Sequence, residues 1–129
     1  MNKEFIPYEQ ALALKELGFD EPCFSIYYSK DKSFSWHHHK NHTNKEPVLD
    51  TGEFNISAPL YQPAFRWFRE KYNLVFNFIS YSIVKPGEYH WSITWNDEAK
   101  ASGIVKTYEE AELACLKHLI EIVKTKKDE

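Results

Sequence analysis

The sequence has little of what characterises secreted proteins, membrane-spanning proteins or the common classes of enzyme. Its 2 cysteines, Cys23 and Cys115, are too few for a disulfide framework, so free buried thiols are favoured over a disulfide. No apolar run approaches the ~20 residues of a membrane span, and the first residues contain no apolar segment of signal-peptide length. We therefore expect a cytoplasmic protein that does not associate with a membrane.

Sequence motifs of catalysis are missing as well. The 4 glycines form no glycine-rich phosphate loop, and the chain contains no nucleophile elbow, HExxH helix or CxxC pair. Neither cysteine has a neighbouring acid or base in the sequence that would activate it as a nucleophile. These absences favour a non-enzymatic protein, for which no cofactor is predicted.

The composition is that of a folded chain with no strong charge. Hydrophobic residues make up 43% and aromatic residues 16% of the 129 positions, which is enough for one domain with a single core. The net charge of −3 and the pI of 6.1 give no general attraction to phosphate backbones. Nucleic acid is therefore disfavoured as a partner but not excluded.

The most ordered pattern in the chain is a predicted hairpin between Val75 and Asn96. In its second arm large apolar residues alternate with small polar ones, which places the apolar residues on one face of a sheet. The apolar set is Tyr89, Trp91, Ile93 and Trp95, and the polar set is His90, Ser92, Thr94 and Asn96. Residues 85–88 suit a type II turn, because Gly87 accepts the positive φ of its third position.

Two registers of this hairpin are compatible with the sequence. If the turn closes symmetrically, Phe76, Phe78 and Val84 share the face of the two tryptophans. If the turn holds one more residue, Ile79, Tyr81 and Ile83 take that face instead, because a slip of one residue exchanges the two faces of a strand.

Three helices and two shorter strands complete the predicted fold. The first helix runs from Tyr8 to Leu17 and ends at Gly18, and the last begins at a capping box from Thr107 to Glu110. The second is predicted to start at a Ser57 cap and to end at Tyr72, unless Pro63 delays its regular part to Tyr61 or Gln62. Short strands are expected at residues 23–28 and 103–106.

The predicted class is α+β, as one domain over residues 1–129 in the order α-β-(loop)-α-β-β-α. Its antiparallel sheet carries the helices mainly on one face, that of Trp91 and Trp95. Residues 29–54 form a long polar loop or a hairpin-like excursion, which we expect to be the most mobile and exposed part of the chain.

Three blocks of the sequence carry a resemblance to a known group of proteins. They are FIPYEQALALKELGFDEPC, NISAPLYQPAFRWFREKY and TYEEAELACLKHLIEIVK, which together cover about half of the chain. They resemble short uncharacterised proteins of gut Bacteroidetes and of their phages and mobile elements. The resemblance implies a bacterial or phage origin, and hence the cytoplasm of a bacterium or of the phage host. It implies no activity, residues 29–54 lie outside it, and Pro63 departs from the glutamine of the pattern.

Four histidines form the one metal-like cluster in the sequence: His37, His38, His39 and His42. Imidazoles bind zinc, copper and nickel, but consecutive histidines in a strand point to opposite faces and no cysteine lies nearby. We interpret this cluster as a solvated loop without a metal and keep the histidines as weak candidate ligands.

Two surfaces are candidate binding sites. On the second helix, Arg66 and Arg69 should face outward with Trp67 near the boundary of the buried face, a composition that suits a protein interface or a nucleotide base. On the predicted sheet, His90, Ser92 and Thr94 form a polar ladder on the open face.

The sequence thus favours a small non-enzymatic interaction protein, such as a phage or mobile-element accessory factor that acts on a host protein. The alternative is a binder of a nucleotide or of single-stranded nucleic acid. A histidine-metal enzyme ranks third.

Overall fold

A computed structural model describes residues 4–36, 42–45, 52–81 and 86–127 of the chain. It confirms the α+β class and divides the chain into two compact units, Met1–Leu60 (unit 1) and Tyr61–Glu129 (unit 2). Each unit has a three-stranded antiparallel sheet of its own, where the sequence suggested one sheet. That residues 1–129 act as a single domain stays a prediction.

The described residues of unit 1 form one helix and three short strands. These are α1 (Tyr8–Leu17), β1 (Ser25–Tyr28), β2 (Phe34–Trp36) and β3 (Asn55–Ser57). The sheet has the order β2-β1-β3, with β1 at its centre. Strand β2 lies within residues 29–54, for which the sequence predicted a loop or hairpin-like excursion. Strand β3 lies where the sequence predicted the start of the second helix.

The C-terminal end of α1 forms as predicted. Gly18 adopts a left-handed conformation with φ of 99°, which a glycine reaches without steric cost. The N–H of Phe19 then donates to the carbonyl of Leu14 at 2.9 Å. This is the hydrogen bond of a Schellman motif that spans six residues. Phe19 and Leu14 are both fully buried.

The polar excursion is tied into unit 1 at His42, which contradicts its predicted exposure. His42 is 1% exposed, and its backbone exchanges two hydrogen bonds with Cys23, with N···O distances of 2.8 and 2.7 Å. An isolated bridge of this kind satisfies the backbone of His42 away from water, so the residue can be buried although its sequence surroundings are polar.

In the part of unit 2 that the structure describes, three consecutive strands lie between two helices. Its elements are α2 (Tyr61–Tyr72), β4 (Leu74–Tyr81), β5 (Tyr89–Trp95), β6 (Glu98–Val105) and α3 (Tyr108–Lys127), and the sheet order is β4-β5-β6. The helix start at Tyr61 is one of the predicted alternatives, and it places Pro63 in the first turn. A cap at Ser57 is wrong, because Ser57 belongs to strand β3.

The hairpin between β4 and β5 has neither predicted register, because Tyr81 pairs with Tyr89 and the connection is therefore longer than either predicted turn; the two alternatives agree with the structure only in the faces that they assign. Near the turn, Ile79 pairs with Trp91, so odd-numbered residues of the two strands lie opposite each other as in the second alternative. The register then shifts, and Phe76 pairs with Ile93 as the face assignment of the first alternative requires. A bulge exchanges the two faces of a strand, so each alternative assigns the correct face in one half of the hairpin.

The turn of this hairpin is described only in part. Gly87 has φ of 92°, the positive value that the predicted type II turn requires of it. Lys85, Ile83 and Val84 lie outside the described residues.

Strand β6 begins five residues earlier than the sequence predicted. Asn96 and Asp97 have φ of 51° and 66°, and Trp95 pairs with Glu98 across them. Two central residues with positive φ make a type I′ turn, which matches the twist of a tight hairpin. The segment from Asp97 to Ser102, between the predicted hairpin and the predicted strand at 103–106, is therefore mostly strand.

Both helices of unit 2 lie on the face of Trp91, as predicted. Phe65 of α2 stacks on Phe76 at 4.6 Å between ring centroids, and Phe76 is paired with the buried Ile93. On the same face, His118 of α3 lies 5.0 Å from the indole of Trp91, which is 5% exposed. The tryptophan face is therefore the core of unit 2.

The capping box of α3 forms with one difference. The N–H of Glu110 donates to Oγ1 of Thr107 at 3.1 Å, as predicted. The carboxylate of Glu110 accepts the N–H of Lys106 at 3.2 Å, whereas the sequence suggested the N–H of Thr107. The side chain thus reaches one residue further back and stabilises the end of β6 as well as the helix.

Trp91 and Gly103 should be energetically coupled, because a Cβ at Gly103 would lie 2.6 Å from Nε1 of Trp91. We expect Trp91→Ala to lower the free energy of unfolding by about 3–5 kcal/mol, as for other large buried aromatics. Gly103→Ala should destabilise the wild type through this clash and cost much less in the Trp91→Ala background. Urea unfolding of the two single variants and the double variant measures the coupling.

Ser102→Ala is the matched control for the glycine variant, because it changes the preceding, exposed residue of the same strand. Additive effects of Trp91→Ala and Gly103→Ala, or a Trp91→Ala variant that melts like the wild type, would contradict the packing described here.

Candidate functional site

Arg66 and Arg69 form the exposed basic surface that was predicted on α2, but Trp67 is buried and is not part of it. Trp67 is 5% exposed and packs edge-on against Phe68, with 5.0 Å between ring centroids. The prediction that Trp67 lies near the boundary is wrong, because the buried stripe of α2 is wider than one row of residues. Its buried residues are Tyr61, Ala64, Phe65, Trp67 and Phe68.

The polar ladder lies on the open face of the unit 2 sheet, as predicted. Strand β5 is regular, so His90, Ser92 and Thr94 point away from the face of Trp91. His90 and Ser92 border an open depression of about 480 Å³ beside β6, and Thr94 does not. The carboxylate of Glu88 lies 3.8 Å from Nε2 of His90. The structure therefore brings two of the three predicted residues into one depression.

His42 belongs to a buried polar network. Its Nδ1 lies 2.8 Å from Oγ of Ser57, and Oδ1 of Asn44 accepts the N–H of Ser57 at 2.9 Å. The amide of Asn44 in turn donates to the carbonyl of Phe19 at 3.0 Å. Because Ser57 is fully buried, this serine–histidine pair has no access to a substrate and serves to hold the excursion in place.

Of the four candidate metal ligands, only His42 lies in the part of the chain that the structure describes. Among residues 4–36, 42–45, 52–81 and 86–127, no group of three or more His, Cys, Asp or Glu side chains could hold a metal ion. His37, His38 and His39 lie outside the described residues.

Both cysteines are free and buried, as predicted. Burial raises the pKa of Cys23 to about 11 and that of Cys115 to about 12. Both therefore remain thiols at neutral pH, and a thiol is a poor nucleophile compared with a thiolate.

An exposed aromatic pair in unit 1 was missed by the sequence analysis. The rings of Phe24 and Trp36 are stacked, with centroids 5.7 Å apart and planes at 9°, and each residue is 46% exposed. Phe5 packs edge-on against both, at 6.1 and 5.2 Å. We call Phe24 and Trp36 the aromatic pair. Trp36 lies in the predicted polar loop or hairpin-like excursion, and no local pattern predicted that it stacks on Phe24.

A second aromatic site lies in unit 2, where Trp95 is close to two lysines. Nζ of Lys126 lies 4.5 Å and Nζ of Lys100 5.7 Å from the centroid of the indole. These three side chains border a depression of about 340 Å³ with Glu121 and Ile122 of α3. The arrangement combines a ring face with positive charge.

Glu112 of α3 is a partly buried carboxyl group whose pKa is shifted strongly upward. Its partial burial, and then the charge of Glu109, raise the pKa of Glu112 from 4.5 to about 7. A carboxyl with a raised pKa in the folded state binds more protons when folded, so it favours folding at low pH. That contribution is lost as the pH rises toward 7 and above.

We expect the Glu112→Gln variant to melt at a higher temperature than the wild type at pH 8 and at the same temperature at pH 4.5. The neutral amide avoids the cost of burying a charge, which the wild type meets only above the raised pKa. Thermal unfolding at both pH values measures the difference.

Glu121→Gln is the charge-matched control, because it removes one carboxylate from an exposed position of the same helix. An equal gain at pH 8 from both variants would show that net charge, and not the burial of Glu112, is responsible.

We also expect the protein, purified without an affinity tag or a metal column, to contain no stoichiometric zinc or nickel. Nδ1 of His42 is already hydrogen-bonded to Ser57, so this histidine is poorly placed as a ligand. Elemental analysis of the purified protein tests this. Tight metal that is lost in the His38→Ala/His42→Ala variant would contradict it, with His38→Ala alone as the variant that spares the core.

Among the described residues, no helix is both long enough and apolar enough to cross a membrane. Comparisons of the chain with models of protein families, with curated proteins and with solved structures find no match. The geometry of the described residues therefore carries the functional argument.

Proposed function

We propose that the protein is a small, non-enzymatic interaction protein that docks on another protein in the cytoplasm of a bacterium. The resemblance of its sequence to proteins of gut Bacteroidetes and their phages supports the role of a phage or mobile-element accessory factor. The observation that carries the proposal is the exposed, stacked aromatic pair of unit 1.

The aromatic pair has the properties of an interface hot spot. Tryptophan is strongly enriched among the residues that dominate binding energy, and large exposed apolar groups that lie together mark interaction sites. The pair is also held in place, because Phe5, which is buried, packs against both rings. Rings that are already ordered lose little side-chain entropy when a partner covers them.

The groups that could perform catalysis are poorly placed for it. The serine–histidine pair of Ser57 and His42 is buried, and the raised pKa values of Cys23 and Cys115 keep both thiols protonated. These observations disfavour nucleophilic catalysis by these groups, and the bond of His42 to Ser57 leaves one of the four candidate ligands of a histidine-metal enzyme poorly placed for a metal.

Arg66 and Arg69 of α2 remain a second candidate surface for the same function. Both are exposed and one helical turn apart, a spacing that presents two guanidinium groups on one side of a helix. Without an exposed Trp67, the surface lacks the aromatic centre that the sequence suggested, so it ranks below the aromatic pair.

The alternative function, binding of a nucleotide or single-stranded nucleic acid, is favoured by the site at Trp95. A ring with the ammonium groups of Lys100 and Lys126 beside it could stack a base and pair with a phosphate. The negative charge of Glu121 in the same depression would repel a phosphate, so this function ranks second.

Affinity purification from a bacterial lysate tests the proposal, with bound proteins, nucleotides and metals measured on the same sample. We expect a protein partner whose recovery falls at least tenfold with Phe24→Ser/Trp36→Ser. Tyr108→Ser, which removes an exposed aromatic residue from unit 2, is the matched control and should retain the partner.

Arg66→Glu/Arg69→Glu distinguishes the α2 surface from the aromatic pair, because it changes only α2. The variant should melt like the wild type, since exposed charges contribute little to stability. Loss of the partner with this variant alone would place the interface on α2. Recovery of a nucleotide without any protein would contradict the proposal and favour the alternative.

A further inference from the structure

Strand β6 forms an open edge of the sheet in unit 2. It is the last strand in the order β4-β5-β6, and among the described residues no strand pairs with its outer side. Alternate residues of an edge strand direct their N–H and C=O groups away from the sheet. An unpaired edge of this kind can therefore pair with a further strand.

The regular part of this edge is short and has Gly103 at its middle. Lys100 is the extra residue of a bulge in β6, and it forms an ion pair with Glu98 at 3.2 Å. Charges and bulges both keep other strands from pairing with an edge. From Ala101 to its end at Val105 the strand is regularly paired with β5 and contains neither a charge nor a proline. Gly103 is the midpoint of this unprotected part.

The middle of helix α3 lies at the level of Gly103. The helix packs on β5 and β6. Nε1 of Trp91 lies 2.6 Å from the position that a Cβ of residue 103 would take, so the indole covers Gly103. The exposed His118, near the middle of α3, lies on the same indole with 5.0 Å between ring centroids. A two-fold axis that is perpendicular to the sheet and passes beside Gly103 therefore also passes close to His118.

Such an axis fixes the register in which two β6 strands would pair. Opposite residues of antiparallel strands point to the same face, so the axis sets Gly103 opposite Gly103 of the second copy. Ser102 then lies opposite Ile104, and Ala101 lies opposite Val105. Ile104, which is 60% exposed, becomes a diagonal neighbour of Ile104 of the second copy. The pairing uses the whole unprotected part of the edge and ends at the bulge.

On the helix side, two depressions lie between β6 and α3. One, of about 330 Å³, lies beside Val105, and the other, of about 340 Å³, lies beside Ala101. His118 borders both of them. Because the axis sets Val105 opposite Ala101, it brings each depression next to the other depression of the second copy.

The charges around the two depressions fit this arrangement. Glu110 and Lys117 border the first depression, and Glu121 and Lys126 border the second. Glu110 and Lys126 are equally far along α3 from His118 in opposite directions. Antiparallel helices related by the axis thus set Glu110 opposite Lys126 and Lys117 next to Glu121 of the second copy. In the part of the chain that the structure describes, none of these four side chains has an ion pair within its own chain.

This order of charges distinguishes a second copy from a foreign segment. The charge of Lys100, which also borders the second depression, is balanced by that of Glu98. The remaining charges around the depressions are two carboxylates and two ammonium groups, Glu110, Glu121, Lys117 and Lys126, so there is no excess that would select an acidic or a basic segment. The pattern instead becomes complementary to itself after a rotation of 180°, as a two-fold interface requires.

We propose that the protein forms a symmetric homodimer in which two β6 strands pair antiparallel about Gly103. The two α3 helices pack antiparallel beside them about His118, and the unit 2 sheets of the two copies become one sheet of six strands. This inference goes beyond the proposed docking function and does not depend on it. A dimer carries two aromatic pairs, so it offers a partner protein two equivalent docking sites.

Charge reversal tests the dimer, because in a two-fold interface the second copy can repair it. Sedimentation equilibrium of the full chain should show a wild-type dimer. Lys117→Glu and Glu121→Lys should each raise its dissociation constant at least tenfold, since each variant brings like charges together twice. An equimolar mixture of the two variants should form a heterodimer with nearly wild-type affinity, because the carboxylates of one variant then face the ammonium groups of the other.

Lys30→Glu and Glu16→Lys are the matched controls, because they make the same two charge changes at exposed positions of unit 1. Both should leave the dissociation constant unchanged, and circular dichroism shows whether all four variants are folded. Hydrogen exchange of the backbone amides of residues 101–105 should slow as the wild-type concentration rises, because the dimer pairs the amides that face the open edge.

Four results would overturn the inference. They are a wild-type chain that stays monomeric, a dimer that neither charge reversal weakens, a mixture of the two variants that stays monomeric, and a dimer in which exchange at residues 101–105 is unchanged. Repulsion within one helix cannot imitate the expected result, because mixing two variants leaves the charges of each chain as they are.

Discussion

The close contact between Trp91 and Gly103 determines how unit 2 is built. The two residues are paired across β5 and β6, and the indole lies where a Cβ of residue 103 would otherwise be. On its other side the ring meets His118 of α3. A large side chain is thus held between a strand and a helix, and any residue other than glycine at position 103 would force the indole away from the strand.

The same contact explains why the helix-facing side of β6 carries small side chains. Because the indole of Trp91 fills the space above Gly103, the helix-facing side of β6 needs only small residues there, and Ala101 is the next one along. An edge strand with small side chains leaves grooves beside the helix. The close packing of Trp91 on Gly103 and the grooves between β6 and α3 therefore have the same cause.

Sequence patterns predicted those features that depend on near neighbours. Alternation along β5 identified the core face, and Gly18 identified the end of α1, because burial and positive φ are local demands. The bulge in β4 could not be predicted, because an extra residue changes the pairing without changing the composition of the strand. The Asn96–Asp97 turn did carry a signal, since asparagine and aspartate tolerate positive φ, and it was missed.

The candidate sites were harder to predict, because burial depends on contacts between distant residues. His42 is buried by its bridge to Cys23, and Trp67 by the width of the buried stripe of α2. Conversely, Trp36 is 46% exposed on β2, where it stacks on Phe24 from a distant part of the sequence. No local pattern contains these long-range pairings.

The division of the strands between two sheets has a consequence for function. A three-stranded sheet has two edge strands, so two such sheets have four, whereas one six-stranded sheet would have two. Trp36 and Ile104, both largely exposed, lie on two of these edges, in unit 1 and unit 2 respectively. Two small sheets therefore have more strand edges than one six-stranded sheet would have, and an unpaired edge is the part of a sheet that can pair with another strand.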